Sequence, residues 1–486
     1  MKKAFPFFLL IFSCVLLITG CSTTRGIRDL RDTPIGFVDY HAPKPEIWTL
    51  PNGLSVYYVQ DDELPLVGGE LYMPGGSLWE PSEMNGIAAA MGSQLRLGGA
   101  GRYSPAQLDL VLEKLAASIG SSVGQEFGKV SFHCLEQDLE TVFGLFADVV
   151  LRPQFDVSRL QLWKTTALEN IRRRKDEPEE IASSSLIQLL YEGTPYGTAI
   201  ESKDVEKVSR LDLLRMHRKF IRPNDAILVV SGSAPRETIE SLVKRHFSQW
   251  EARKDELGPP PLVTTKPKPA IYFVQKPFSQ SSIYIGQLSV PRHTPDQYAI
   301  SVFNNVLGTG GFDSRLMKQV RTKHGYVYGI YGSTNAGLVR GTNVIGMQTK
   351  AQSTVDALKE SLRIVGELQQ APATEDEVAL VKQAIQSSFV FRFDSPSKSA
   401  VRQALLKLYK YPKDYDERYL ERIFAVDGEQ VQQVAEDRWR MDDFVIVVVG
   451  NETAYNLLKT ALESPPQELA GYSIIDGTFY EKFVRS

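Results

Sequence analysis

The sequence predicts an α+β protein made of two tandem, homologous domains. Its 486 residues exceed the roughly 250–300 residues at which a single hydrophobic core stops growing. Landmarks of the first half recur in the second half at a nearly constant spacing. Each half also begins with β-rich segments and continues with helical ones. We therefore expect two domains of about 200 residues each.

The composition describes an ordinary globular protein. Hydrophobic residues make up 43% of the chain, charged residues 23%, and the formal net charge is −3. These values exclude a largely disordered chain and give no basic field for nucleic acid. We expect no nucleic-acid partner.

The first 21 residues have the pattern of an export signal. Lys2 and Lys3 precede the apolar run 4–17, and the sequence Ile18-Thr19-Gly20-Cys21 follows. This resembles a bacterial lipobox, which implies lipidation at Cys21, and Ser22 behind it favours delivery to the outer membrane. We expect the protein to face the periplasm, although the sequence does not specify the membrane face. The alternative is an uncleaved membrane helix, but the run is shorter than the roughly 20 residues needed to span a bilayer.

The expected boundaries follow from these signals and from a proline-rich stretch at 258–261. They are a signal peptide (1–20), a tether (21–46), an N-terminal domain (47–250), a linker (251–270), a C-terminal domain (271–470) and a tail (471–486). Of the three cysteines, only Cys134 lies in the folded part. This excludes an intramolecular disulfide framework there.

The repeat is visible as paired landmarks. Gly450 follows Gly232 at the same spacing at which Asp443 follows Asp225. Asp394-Ser395-Pro396 follows Asp176-Glu177-Pro178 at that spacing as well. Because several independent landmarks share one spacing, a duplicated domain explains them better than chance resemblance of one β-rich segment.

The elements of each half follow from side-chain periodicity. β-branched and aromatic residues predict strands at 54–60, 67–73, 271–275 and 282–288. The segment 105–119 carries Leu108, Val111, Leu112 and Leu115 at the spacing of one helix face and predicts a helix.

An ordered set of motifs resembles the insulinase and mitochondrial-processing-peptidase family of zinc metallopeptidases. The set covers nearly the whole chain from Ile47 and consists of Leu50-Pro51-Asn52-Gly53-Leu54, Gly75-Gly76-Ser77-Leu78-Trp79-Glu80-Pro81, Gly86-Ile87-Ala88-Ala89-Ala90-Met91, Leu151-Arg152-Pro153 and Pro195-Tyr196-Gly197. The resemblance implies that each domain is a mainly antiparallel sheet covered by helices. It also implies that the two domains form half of a clam-shell.

The zinc motif of that family is absent. In active relatives a His-x-x-Glu-His helix supplies two zinc ligands and a general base. The corresponding positions here are Ala89, Gly92 and Ser93. The more distant glutamate ligand falls at Glu169 or Asn170, and both remain open. We therefore expect no metal and no catalytic residue in this chain.

No other motif replaces it. The six histidines are scattered and stand in no zinc-binding pattern: His41, His133, His217, His246, His293 and His324. Cys134 lies in the apolar run 130–135, where a buried, inert thiol is more common than a nucleophile.

The second half retains a different signature. A Gly-rich block at 305–316, with Gly308, Gly310 and Gly311, leads to Arg321 and Tyr328. The resemblance implies that, in two-chain relatives, the subunit without zinc contributes this Arg and Tyr. The alternative is that Arg321 pairs with a core carboxylate and Tyr328 packs in a sheet. We expect Arg315 to be structural.

These expectations combine into one hypothesis. The chain would be a lipid-anchored, non-catalytic subunit that binds peptide for a zinc-bearing partner of the same family, with zinc in the partner chain. An envelope scaffold without any role in proteolysis is the alternative, and an enzyme with an unrecognised site is a weaker one.

Overall fold

The computed structural model describes residues 44–255 and 257–477. The predictions for the signal peptide, for Cys21 and for His41 lie outside these residues. Within them, no helix combines the length and the apolar character needed to cross a bilayer.

The first half contains strands and helices in alternation. Its strands are β1 (Glu46–Thr49), β2 (Ser55–Gln60), β3 (Leu66–Pro74), β4 (Ser118–Val123), β5 (Phe127–Leu135) and β6 (Ile227–Gly232). Its helices are α1 (Ile87–Leu97), α2 (Pro105–Lys114), α3 (Leu139–Leu151), α4 (Val157–Arg173), α5 (Pro178–Leu190), α6 (Ser202–Lys207), α7 (Arg210–Phe220) and α8 (Arg236–Phe247).

The second half repeats this order with small changes. Its strands are β7 (Ala270–Gln275), β8 (Gln280–Leu288), β9 (Val327–Asn335), β10 (Thr342–Lys350), β11 (Val445–Gly450) and β12 (Ile474–Ile475). Its helices are α9 (Gln297–Asn304), α10 (Thr354–Gln370), α11 (Glu375–Phe389), α12 (Pro396–Leu408), α13 (Tyr415–Phe424), α14 (Gly428–Arg438) and α15 (Glu452–Glu463).

Each half forms one six-stranded, mainly antiparallel sheet, which confirms the predicted fold class. The strand orders are β1-β2-β6-β3-β5-β4 and β12-β7-β11-β8-β10-β9. The repeat extends to the pairing register. Tyr57 of β2 lies opposite Val229 of β6 in parallel, and Tyr272 of β7 lies opposite Val447 of β11 in the same way.

The outermost strands β1 and β12 differ between the halves. In the first sheet β1 comes from the chain before β2 and pairs with it antiparallel. In the second sheet β12, from within the segment expected as a tail, pairs parallel with β7. Neither of these two strands was predicted.

One helix of each half packs on the sheet of the other half. Helices α5 and α12 each begin with a proline, at Pro178 and Pro396, which suits the first helical position. The α5 residues Ile181, Ala182, Leu186 and Leu190 are buried with Tyr272, Tyr284, Val445, Val447 and Val449 of the second sheet. The α12 residues Ala400 and Ala404 are buried with Tyr57, Val59, Tyr72, Ile227 and Val229 of the first sheet. Each sheet therefore depends on the other half for cover on this face.

The helix predicted over 105–119 is wrong at its carboxyl end. Helix α2 stops at Lys114, and Ala116 has a positive φ of 47° that reverses the chain direction. Ile119 is buried as part of β4, which pairs with β5. The serines and glycine between 118 and 122 have weak helix propensity, so pairing with β5 decides the structure of this segment.

Candidate functional site

Helix α1 carries the positions of the missing zinc motif. Its amino end is held by Glu80, whose carboxylate accepts hydrogen bonds from the backbone N–H groups of Gly86 and Ala88. Burial raises the pKa of Glu80, while these two hydrogen bonds oppose the shift. A carboxylate at the amino end of a helix accepts hydrogen bonds from the free N–H groups there and interacts favourably with the positive end of the helix dipole. Glu80, the glutamate of the Gly75–Pro81 motif, therefore has a structural role in this protein.

The three motif positions differ in exposure: Ala89 is exposed, Gly92 is buried and Ser93 is half-buried. A Cβ atom placed on Gly92 would lie 2.3 Å from the backbone nitrogen of Val123 in β4. The position of the family's general base is therefore occupied by a close contact between helix and edge strand. No larger side chain fits there without a shift of the backbone.

A serine from β4 fixes this contact. Ser121 Oγ donates a hydrogen bond to the carbonyl of Gly92 at 2.6 Å and accepts one from the N–H of Arg96 at 3.1 Å. These two backbone groups are four residues apart, which is the spacing of a helical hydrogen bond. The hydroxyl therefore ties β4 to the middle of α1.

The residues present do not fit a zinc ion. Ala89, Gly92 and Ser93 offer neither imidazole nor carboxylate. Glu169 is exposed and pairs with Arg173 at 3.1 Å, and Asn170 is exposed as well. Across residues 44–255 and 257–477, no three His, Cys, Asp or Glu side chains converge on a possible metal position.

The histidines inside the described ranges have local packing partners or face solvent. His217 Nε2 lies 2.8 Å from the carbonyl oxygen of Val150, and burial lowers its pKa. His293 Nε2 lies 2.7 Å from the carbonyl oxygen of Tyr409. Cys134 is 1% exposed, and burial raises the pKa of its thiol to about 12. The buried, inert thiol expected from the sequence agrees with this environment.

Arg321 lies in an exposed cluster of aromatic rings in the second half. It belongs to a π-helical segment, Met317–Lys323, and such segments are frequent at functional sites. Its guanidinium carbon is 4.6 Å from the ring centre of Phe312 and 5.2 Å from that of Tyr328. Tyr328 is 86% exposed and Phe312 67% exposed. We call Phe312, Arg321 and Tyr328 the Arg321 cluster.

The alternative expected for these two residues is not what the structure shows. Among the described residues no carboxylate pairs with Arg321, and the ring of Tyr328 faces solvent on the edge strand β9. Stacking between two rings holds the guanidinium by cation–π attraction and leaves its N–H groups available to a ligand. Phe312 was missed in the sequence because nothing there shows which side chain stacks on Arg321.

Arg315 makes the contacts of a structural residue. Its guanidinium donates two hydrogen bonds of 2.8 Å to the carboxylate of Glu377 at the start of α11. Burial would raise the pKa of Glu377, but the bonds from Arg315 and from Thr374 outweigh it and lower that pKa to about 2. This pair fixes the Gly-rich block to α11.

The glycines of that block also have a packing role. A Cβ on Gly308 would lie 2.2 Å from the backbone nitrogen of Gly332 in β9, and one on Gly310 would lie 2.5 Å from the carbonyl oxygen of Asn305. Gly311 has a φ of +62° with open space around it. Two of the three glycines therefore serve close packing, and the third serves a turn.

Comparison with known proteins places this arrangement in a family. A model described as insulinase (peptidase family M16) matches residues 56–204. A second, described as peptidase M16 inactive domain, matches residues 207–385. The chain belongs to the insulinase family. The positions of that family's zinc motif are occupied in α1 by Ala89, Gly92 and Ser93.

Individual insulinase-family relatives match over most of their length. An uncharacterized zinc protease of Mycobacterium leprae is 23% identical over 80% of this chain and 87% of the relative. The non-peptidase homolog YmxG of Helicobacter pylori is 22% identical over 82% of this chain and 92% of the relative. A crystal structure described as a peptidase M16 inactive domain, from Pseudomonas fluorescens, gives a TM-score of 0.77 at 26% identity, over 84% of this chain and 98% of that one.

Proposed function

We propose that this chain is the non-catalytic, peptide-binding subunit of an insulinase-family zinc metallopeptidase complex in the cell envelope. It supplies Arg321 and Tyr328 to the active site of a zinc-bearing partner. The observation that carries this proposal is the Arg321 cluster, in which a cation without a carboxylate partner in the described residues is held between two exposed rings.

The chemistry of the pair suits a peptide carbonyl. An Arg guanidinium carries several N–H donors and a Tyr phenol carries one. Together they donate hydrogen bonds to a carbonyl oxygen and to the oxyanion that forms when water attacks the carbonyl carbon. Zinc and its activated water would come from the partner, because positions 89, 92 and 93 of this chain do not fit the metal.

The edge strand β9 supports the peptide-binding part of the proposal. It is the outermost strand of the second sheet and carries Tyr328. A free sheet edge offers backbone N–H and C=O groups to an added strand, which binds peptides with little dependence on sequence. The name of the Helicobacter pylori relative, a non-peptidase homolog, agrees with a subunit that does not itself cut peptides.

The test uses the full-length chain co-purified with its partner from membranes. Arg321→Ala and Tyr328→Phe are expected to lower peptide turnover by about 10²–10³, the usual cost of losing one oxyanion donor. Assembly and the zinc content of each chain should stay unchanged. Lys323→Ala in the same π-helical segment and Tyr331→Phe on the same strand are matched controls and should retain the parental rate.

A parental rate in both cluster variants, with normal assembly, would show that the pair takes no part in proteolysis. The chain would then be an envelope scaffold. The same conclusion would follow if the chain co-purified with no zinc-bearing protein of the family. Stoichiometric zinc in this chain, with chelator-sensitive activity of the isolated chain, would overturn the non-catalytic assignment.

The envelope location rests on the lipobox-like sequence ending at Cys21. Lipid on Cys21 is the only strong membrane anchor that the sequence offers in this interpretation. Cys21→Ser is therefore expected to move the protein from the membrane pellet to the soluble fraction. Retention of this variant in the pellet would favour an uncleaved membrane helix.

A further inference from the structure

A cavity of about 790 Å³ lies at the junction of the two halves. Glu70 of β3 contributes to it from the first sheet. Helix α12, which covers that sheet, and helices α9 and α13 contribute the other walls. The volume is within the range of small-molecule sites, roughly 300–1,000 Å³. Neither the Arg321 cluster nor the degenerate zinc positions line it.

The charges on its wall are unbalanced. Four cationic side chains line the cavity, with Glu70 as the only carboxylate among the lining residues: Arg292, Arg392, Lys398 and Arg402. Three of these cations have partners behind the wall. Arg292 pairs with Glu126 at 2.7 Å, Lys398 with Asp394 at 2.7 Å, and Arg402 with both oxygens of Asp416. Arg392 has no carboxylate partner in the described part of the chain.

The guanidinium of Arg392 is fixed without being neutralised. It lies 4.5 Å from the ring centre of Tyr419 and 5.2 Å from that of Phe389. These two rings stack on each other with their centres 5.4 Å apart. The only polar contact that it makes within the described ranges is a 3.3 Å bond to the hydroxyl of Tyr419. Most of its N–H donors are therefore free to meet an anion.

Further donors and an apolar surface surround this cation. The hydroxyls of Tyr409, Tyr411 and Tyr415 have no hydrogen-bond partner among the described residues, and all three side chains line the cavity. These phenols are protonated donors at neutral pH already at their ordinary pKa of about 10, and burial raises that pKa further. Apolar wall is supplied by Ile300, Val401, Leu405 and Leu406.

We propose that this cavity binds an organic carboxylate that carries an aromatic or apolar body. The carboxylate meets Arg392 and the phenol donors, and the body lies along the apolar wall. Two sources share this chemistry: the C-terminal end of a peptide and a free aromatic acid. The site needs neither a partner chain nor zinc, so it does not depend on the proposed function.

Calorimetric titration of the purified full-length chain tests the site with three probes. These are N-acetyl-leucyl-phenylalanine as the free acid, the same dipeptide as its C-terminal amide, and 3-phenylpropionate. The dipeptide acid is expected to bind at least about tenfold more tightly than its amide, because a hydrogen-bonded charge pair is lost in the amide. Tighter binding of the dipeptide acid than of 3-phenylpropionate identifies a peptide terminus, and the reverse order identifies a free acid.

Variants locate the binding. Arg392→Gln should weaken the dipeptide acid at least about tenfold, and Tyr415→Phe by a few-fold. Arg418 lies on α13, as Tyr415 does, but outside the cavity, so Arg418→Gln should leave the affinity for the dipeptide acid unchanged. Equal affinity for acid and amide, or no heat with any probe at millimolar concentration, overturns the proposal. If Arg392→Gln does not fold, the comparison of the affinities for the acid and the amide in the parental chain still tests the proposal.

Discussion

In both halves of the molecule a helical segment meets an edge strand of the sheet through a glycine: α1 in the first half, and in the second half the π-helical segment Asn305–Thr309 that continues α9. In the first half Gly92 of α1 contacts β4 at Val123, and in the second half Gly308 contacts β9 at Gly332. The two glycines are separated by nearly the same length of chain as the other paired landmarks. Active relatives carry their general base at the first of these positions. Here the first half has the same close packing as the second.

The two helix–strand contacts, which we call the Gly92 corner and the Gly308 corner, differ in the side chains that they expose to solvent. At the first, the exposed motif position is Ala89, and Ser121 ties the strand to the helix. At the second, Phe312 and Tyr328 are exposed around Arg321. The loss of zinc ligands therefore accompanies a closed corner in one half, while the other half keeps side chains that suit a ligand.

The largest effect is expected at the helices that cross between the halves. Helix α5 covers the second sheet with large, fully buried side chains such as Leu186. The fully buried residues of α12 on the first sheet are alanines, and its larger apolar side chains there, such as Leu405, are only partly buried. Leu186→Ala should lower the free energy of unfolding by about 3 kcal/mol, because it leaves a cavity under a fully buried residue. Urea unfolding measures this. Leu162→Ala, at an exposed position on α4, is the control and should change stability by less than about 0.5 kcal/mol. A loss under about 1 kcal/mol in Leu186→Ala would mean that α5 is not essential cover.

The glycine contacts should respond alike in the two halves. Gly92→Ala and Gly308→Ala are each expected to cost about 1–3 kcal/mol, because the added Cβ meets backbone atoms that cannot move alone. Gly366→Ala is a matched control, since Gly366 lies inside α10 with nothing near its Cβ position. That change should stabilise the protein by up to about 1 kcal/mol. If only one of the two corner glycines is sensitive, the packing of the two corners is not equivalent.

The smallest effect concerns pH and separates the starts of two equivalent helices. Glu377 in α11 has a pKa of about 2, below its ordinary 4.5. Its contribution to stability is therefore complete above about pH 5 and is lost as the pH falls towards about 2. Glu377→Gln should remove about 1–2 kcal/mol at neutral pH and flatten this part of the stability curve.

Asp156, which caps the start of α4, provides the comparison in the first half, because it precedes Thr374 at the start of α11 by the spacing of the repeat. A hydrogen bond from Ser158 lowers the pKa of Asp156, but its carboxylate is close to solvent. Asp156→Asn should therefore change the acid limb of the stability curve less than Glu377→Gln does. An equal change in both variants would show that the bond from Arg315 adds nothing to the capping of α11.

Much of the fold follows from the sequence because the repeat constrains it. The spacing between Asp225 and Asp443 predicts equivalent strands, and the pairing of Tyr57 and Tyr272 has the same register. The apolar face of α5 indicates a buried helix, but a face does not specify which sheet covers it. For this reason the exchange of helices between halves was not predicted.

Some residues of the candidate sites were predicted and others were not, because the sequence shows order along the chain but not contacts between distant segments. Motif positions such as Ala89 and Arg321 follow from order along the chain. The contact of Gly92 with β4 and the stacking of Phe312 on Arg321 depend on residues brought together by folding. The cavity around Arg392 joins residues from both halves, so no local pattern marks it.

The crossing of α5 and α12 has a consequence for any attempt to divide the protein. A chain cut in the segment 251–269 would yield two fragments, each with an uncovered sheet face and an apolar helix that fits the other fragment. Such fragments would stay together without a covalent link, as the parts of a split reporter do.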